Sequence, residues 1–184
     1  RRQRLLDLNR DAARFYYQTL HQPEGRAVQE YLNRRKISRT TAVNFGLGAS
    51  PDAWDALLTA MTKKGYTKSE LLEAGLVVQN RNGGLYDKFR NRLMFPVIDV
   101  RGDVVAFGGR VLDKSEPKYM NTQETPVYSK RRVLYGLNLA KKTKRPNIIL
   151  CEGNIDVVTL HQAGFDNAVA SMGTALTVEQ TRLL

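Results

Sequence analysis

"NIILCEGNIDVV", residues 147–158, joins an apolar run to an acid, a glycine and, four positions after the first acid, a second acid. The run Asn147–Cys151 reads as a buried strand that ends at Glu152. A helix is expected over Asn154–Ala163, a second strand over Asn167–Ser171 and a further helix from Thr177. Strand, helix, strand, helix at this spacing predicts a βαβ unit with a parallel sheet. In such sheets ligands gather beyond the carboxyl ends of the strands, which is where Glu152 stands. Gly153 lets a ligand or a neighbouring backbone approach closely. Asp156 falls in the first helical turn, where the helix dipole favours an acid. Two carboxylates facing one point suit a shared Mg²⁺, which takes a few carboxylate oxygens and keeps several waters. The plainer reading is a polar strand end and a first-turn helix acid, and E-G-x-x-x-D is too short a pattern to choose between them.

Upstream, the first 87 residues read as mostly helical. Leu5, Leu8, Ala12, Phe15, Tyr16 and Leu20 recur at helical spacing until "QPEG" (22–25) breaks the run. Further helices are expected over Arg26–Arg35, from an N-cap at Ser38 to about Gly46, from Ser50-Pro51 to Gly65, and over Lys68–Ala74. Trp54 is expected to anchor the third of these in the core. After Asn80–Gly84 the period changes. "NRLMFPVIDV" (91–100) and "DVVAFGGRVL" (103–112) alternate as strands and meet at Arg101-Gly102, an antiparallel hairpin. Residues 113–132 are polar with two prolines and read as an ordered loop, followed by a short helix and turn to Pro146.

Composition narrows the classes. At 184 residues and 42% hydrophobic the chain can bury a core. No apolar run nears the roughly 20 residues that cross a bilayer, and the basic start, interrupted by Asp7 and Asp11, is an amphipathic helix and not a signal peptide. One cysteine, Cys151, rules out a disulfide framework or a cysteine-rich zinc site within the chain; a buried inert thiol and a reducing, cytoplasmic setting are expected. The net charge of +11 is uneven. Residues 88–145 hold 14 basic and 5 acidic side chains, whereas residues 146–184 hold 1 and 4. A polyanion held on one surface and led toward an acidic site would suit that layout, though a solvated basic face has the same composition.

Two further stretches could bear chemistry. "AFGGRV" (106–111) puts two glycines inside a strand, which marks a bulge or a close backbone approach, with Arg110 able to grip a phosphate in bidentate fashion. "PKYMNTQET" (117–125) gathers Lys118, Tyr119, Asn121, Thr122 and Gln123, a set that offers a cation to phosphate, a ring for stacking and amides for base edges. A bulged strand with a surface arginine and an ordinary polar loop are the plain alternatives. His21 and His161 lack partners at ligand spacing and read as structural.

Three long blocks carry a resemblance: residues 86–112, residues 116–137 and residues 150–177, with "YLNRRKIS" (31–38) and "NFGLGASPDAWDALL" (44–58) upstream. In this order they resemble the bacterial replicative primase family, whose members lay down RNA primers on single-stranded DNA. The resemblance implies an α+β fold: a mixed N-terminal subdomain of the primase core over residues 1–143, then the beginning of an α/β Toprim domain over 144–184. It implies Glu152 as general acid/base or metal ligand, with Asp156 beside it and Mg²⁺ as cofactor. Arg35, Arg90, Arg92 and Arg110 would lie on the template track, and Lys118, Tyr119, Asn121, Lys130 and Gly153 would contact nucleotide or nucleic acid. Expected partners are the single-stranded template, nucleoside triphosphates and, through a C-terminal region absent here, the replicative helicase. Zinc would belong only to an upstream module, also absent.

Two departures stand out. The family's tyrosine after the E-G pair is Asn154, and its glycine after "YLNRR" is Lys36. The family's later D-x-D acids do not follow, so the chain is expected to be a fragment that binds weakly and does not polymerise. A Toprim nuclease or topoisomerase fragment, and a non-catalytic single-strand-binding module, are the alternatives. The first would not be expected to carry the upstream blocks, and the second would bind without metal dependence.

Overall fold

The first helix, α1 (Arg2–Leu20), follows its periodicity: Leu5, Leu8, Ala12, Tyr16 and Leu20 are all buried. In the computed structural model, which describes residues 1–173 and 175–184, it is followed by α2 (Arg26–Arg34), α3 (Arg39–Asn44), β1 (Gly48–Ser50), α4 (Ala56–Lys63), α5 (Lys68–Glu73), β2 (Val77–Gln79) and β3 (Leu85–Asp87). Then come β4 (Arg92–Ile98), β5 (Val104–Val111), β6 (Tyr119–Asn121), α6 (Leu137–Ala140), β7 (Ile149–Cys151), α7 (Asn154–Gln162), β8 (Ala168–Ala170) and α8 (Val178–Leu183). No helix among the described residues is long and apolar enough to cross a membrane.

The central sheet runs β1-β4-β5-β6, all antiparallel. Its hairpin turns as expected: the Asp99 carboxylate accepts from the amides of Arg101 and Asp103, closing the turn at Gly102. α1 packs across β1 and β5, and Gly48 permits the approach, since a Cβ there would sit 2.6 Å from the Tyr16 carbonyl carbon. The parallel pair β7–β8, crossed by α7, is the predicted βαβ unit. One apolar core joins this unit to the sheet, taking in Leu5, Phe95 and Phe107 as well as Ile155, Val158 and Met172. Residues just before position 143 ride on the later unit: Tyr135 exchanges backbone hydrogen bonds with Ala170, and Leu134, Leu137 and Ala140 pack on Val169.

Several expectations need correction. Residues 1–87 contain three strands. Ser50, the expected start of a helix, is instead the last residue of β1, and the helix, α4, starts only at Ala56. Its head is capped from a distance by the buried Asp87, whose carboxylate accepts from the amides of Leu57 and Leu58 at 2.8 and 3.0 Å. Trp54 is therefore outside the helix and 66% exposed, not a core anchor. The polar stretch 113–132 contains β6, which pairs with Gly108–Arg110 despite weak strand propensity. No bulge lies at Gly108-Gly109; the register shift is between Val97 and Ile98. Gly108 instead serves a close approach, because a Cβ would come within 2.8 Å of the Asn154 side-chain nitrogen Nδ2. Finally, β7 is half-buried, with Leu150 48% exposed and Cys151 only partly covered.

Candidate nucleic-acid and phosphoryl-transfer site

The approach of α7 to Gly108 brings the strand-end acid to the central sheet. Glu152, Gly153 and Asn154 line a recess of about 100 Å³ whose other walls are Tyr119 and Asn121 of β6, together with Met172 and Gly173 after β8. Glu152 and Asp156 are both exposed. The Asp156 carboxylate leans back over Gly153: a Cβ on that glycine would lie 3.5 Å from Asp156 Oδ2 and 3.7 Å from the Tyr119 hydroxyl. Those are ordinary contacts, so the protein's own packing does not require a glycine there. Burial and the nearby Asp156 push the Cys151 thiol up, which makes it a poor nucleophile.

Tyr119 is held from behind. Arg110, 9% exposed, donates its Nε–H to the Tyr119 hydroxyl at 3.2 Å and an Nη1–H to the Val111 carbonyl at 2.8 Å. Its guanidinium lies 5.0 Å from the ring centre of Tyr31 and 5.6 Å from that of Tyr119. The Tyr31 hydroxyl in turn accepts from Arg35 Nε at 3.1 Å, and Arg35 itself is exposed.

A larger cavity, about 330 Å³, adjoins the recess and shares Tyr119, Asn121, Met172 and Gly173 with it; Lys88 and Lys130 supply its charge. Lys88 is half-buried, donates to the Asn121 carbonyl at 2.7 Å, and is held below the ordinary lysine range by burial first and by the Lys130 charge second. Lys88 and Met120 also line a third cavity of about 250 Å³ with Arg90 and Arg92. Arg92 is 6% exposed, donates to the carbonyls of Gly109 and Lys118, and has no carboxylate within ion-pair distance among the described residues. Burial and the Arg90 charge pull its guanidinium down. Asp113 acts against that pull, and with Asp52 and Glu116 it lines the same cavity, so the charge there is mixed. Arg90 lies 4.3 Å from the ring centre of Trp54 and 5.2 Å from that of Tyr86, forming an exposed aromatic-cationic platform beside this cavity.

Of the residues singled out from sequence, Glu152, Gly153, Tyr119 and Asn121 share the recess, and Lys130 lies next door. Arg90 and Arg92 share the third cavity. Lys118 is exposed, and its backbone carbonyl accepts from Arg92. Arg92 and Arg110 are buried, not spread on an open basic surface. Sequence reading missed Lys88, although the alternation Lys88-x-Arg90-x-Arg92 points to it. It also missed Tyr31, for which no local signal exists.

Among the described residues no group of three or more His, Cys, Asp or Glu side chains could hold a metal ion. Glu152 in the recess and Asp156 over Gly153 are the carboxylates that could hold part of a Mg²⁺ shell, since that ion commonly takes one or two carboxylates and completes its shell with water and substrate phosphate.

An antiparallel core with a βαβ unit docked on it, and an acid at their junction, defines the class, and comparison with known proteins names it. Residues 15–141 match the family described as DNA primase catalytic core, N-terminal domain, and residues 147–184 match the Toprim domain. The chain belongs to the DNA primase catalytic core family. It is 48% identical over 182 residues to the DNA primase of Clostridium acetobutylicum, covering 98% of this chain and 30% of that protein. It is 41% identical over 185 residues to the DNA primase of Escherichia coli, covering 100% and 32%. Among solved structures, the DnaG primase catalytic domain bound to ssDNA superposes with a TM-score of 0.94 at 40% identity, covering 100% of this chain and 60% of that one. The RNA polymerase domain of Mycobacterium tuberculosis DnaG, in complex with a double-stranded DNA oligomer with a 6-nucleotide overhang, gives 0.92 at 40% identity, with 100% and 58% covered. The chain thus spans about a third of the length of the curated primases it matches.

Proposed function

We propose that this chain is the template-handling part of a primer-synthesising RNA polymerase, together with the first acid of its reaction centre. The observation that carries the reading is the meeting of the acid recess and the cationic cavity at Tyr119 and Asn121. A single-stranded template would run past the exposed Arg35 and the Trp54–Arg90 platform, its phosphates meeting those two guanidiniums and its bases free to stack on Trp54, with the buried Arg92 and Arg110 lying behind that track. A nucleoside triphosphate would lie in the cavity of Lys88 and Lys130, with Lys118, Tyr119 and Asn121 about it and its reacting phosphorus toward Glu152. Relatives solved with single-stranded DNA and with an overhang duplex support the first half of this placement.

Mg²⁺ held by Glu152 and Asp156 would neutralise charge on the transferred phosphoryl group. The chain's own residues position: in phosphoryl transfer most of the catalysis comes from alignment and electrostatics, and little covalent chemistry is asked of the protein. Gly153 leaves room for the phosphate beside the acid. The division after residue 143 belongs to this proposal, with Tyr135–Ala140 packed on the later unit.

The test is ribonucleotide incorporation on a single-stranded template by the full-length protein. Incorporation that requires both Mg²⁺ and template is expected. Metal-dependent cleavage of the template without incorporation would contradict the reading in favour of a Toprim nuclease. Salt-dependent binding that is indifferent to metal, with neither reaction, would contradict it in favour of a plain binding module.

A further inference from the structure

The segment that carries Lys130 has no helix or strand of its own between the end of β6 and the start of α6. Within the loop, the Lys130 amide donates to Glu124 Oε1 at 3.0 Å, a contact on the exposed side. Val127 and Tyr128 are buried just before Lys130, and the Lys130 ammonium reaches Gln123 Oε1 at 3.4 Å, while the backbone carbonyls of Lys130, Arg131 and Val133 are held from α8, more than 40 residues on. Gln180 is wholly buried there and sits at the third helical position. Its Oε1 accepts from the Thr177 amide at 3.0 Å while its own amide donates to Thr177 Oγ1 at 3.0 Å, which is a capping box. Its side-chain Nε2 faces the other way and donates to the carbonyls of Lys130 at 2.9 Å and Val133 at 3.0 Å. The Thr177 hydroxyl adds a bond to the Arg131 carbonyl at 2.6 Å.

A capping box asks only for an acceptor oxygen at its third position, and glutamate supplies one as well as glutamine. The cap therefore leaves the two donated hydrogens unexplained, and the Lys130 loop explains them. We infer that Gln180 is a positioning residue for Lys130, fixing the height at which that ammonium enters the cavity shared with Lys88 and Asn121. It acts through Lys130 and touches no substrate. The inference rests on the reading of Lys130 as a nucleotide contact.

Gln180→Glu keeps the acceptor oxygen of the cap and turns both donations into a buried carboxylate oxygen facing two carbonyls, so it acts on the Lys130 loop, and exchange of the α8 amides beside it shows whether the cap survives. In the full-length protein, the KM for nucleoside triphosphate at saturating template is compared for the parent, K130A, Q180E and the double variant. K130A and Q180E should each raise KM about tenfold with kcat within about twofold, and the double variant should be no worse than K130A alone. Hydrogen exchange supplies a readout independent of activity: in Q180E, amides 129–134 should exchange about tenfold faster, with α1 and the central sheet unchanged. An unchanged KM for Q180E where K130A raises it, additive effects, or unaltered exchange at 129–134 would each overturn the inference. An unchanged KM for K130A would instead remove the reading of Lys130 on which it rests.

Discussion

Arg110 donates to the Tyr119 hydroxyl at 3.2 Å from between two tyrosine rings, so its charge reaches the acid recess through Tyr119 and not through open solvent. This arrangement separates two functions, template binding and nucleotide positioning, that an exposed basic strand would merge. Arg110→Lys keeps the charge but loses the planar donor and the stacking. The expectation is that Arg110→Lys raises the KM for nucleotide several-fold while template affinity changes by less than about 1 kcal/mol. Equilibrium binding to a labelled single strand beside steady-state kinetics of the full-length protein checks it.

Trp54 and Arg90 make the complementary prediction. The ring is exposed and the guanidinium lies over it. Trp54→Ala should weaken single-strand binding by about 1–3 kcal/mol with little change in salt dependence, since stacking releases no counterions. Arg90→Ala should lower the slope of log K against log salt by about one phosphate contact. Equal slopes for the two variants would argue against a division of labour at this platform.

What the sequence made legible, and what it hid, follows from where the determinants lie. α1, the β4–β5 hairpin and the β7–α7–β8 crossover were read correctly because each carries its own period and turn residues. β1 is Gly-Ala-Ser, a composition with no strand preference; it pairs with β4 because Gly48 lets the Tyr16 backbone lie against it. Trp54 looked like a core residue until Asp87, 33 positions on, proved to supply the cap that delays α4 to Ala56. Glu152 was visible as a strand-end acid. The facts that Tyr119 and Asn121 wall its recess and that Lys88 joins two cavities depend on Gly108 admitting Asn154, which is tertiary information.

Lys36 adopts φ +58°, the left-handed conformation that ends α2, where a β-carbon is strained. The turn is held all the same, because Gln162 of α7 donates to the Lys36 carbonyl and accepts from the Ser38 amide. Lys36→Gly should therefore stabilise the chain by about 1 kcal/mol without altering the turn. Chemical denaturation at neutral pH measures this, with the m-value expected to stay constant.

The buried Asp87 gives a pH signature. Burial pushes its carboxyl up to about 6, against the pull of the two α4 amides that it accepts from. A carboxyl raised on folding contributes stability that is full below the unfolded pKa, near 4, and is lost as pH rises through about 6. Asp87→Asn should flatten the fall in stability between those two values while costing about 1–2 kcal/mol at acid pH through the weakened cap. Melting curves across that window for both proteins decide it.

The central claim is that the acid at the end of β7 is the one that serves phosphoryl transfer. Its most direct test is Glu152→Gln in the full-length protein, assayed for Mg²⁺-dependent ribonucleotide incorporation alongside binding to a single-stranded template. The account predicts that incorporation is abolished while template binding stays within about twofold of the parent. Primer synthesis at a near-parental rate by the variant would contradict it.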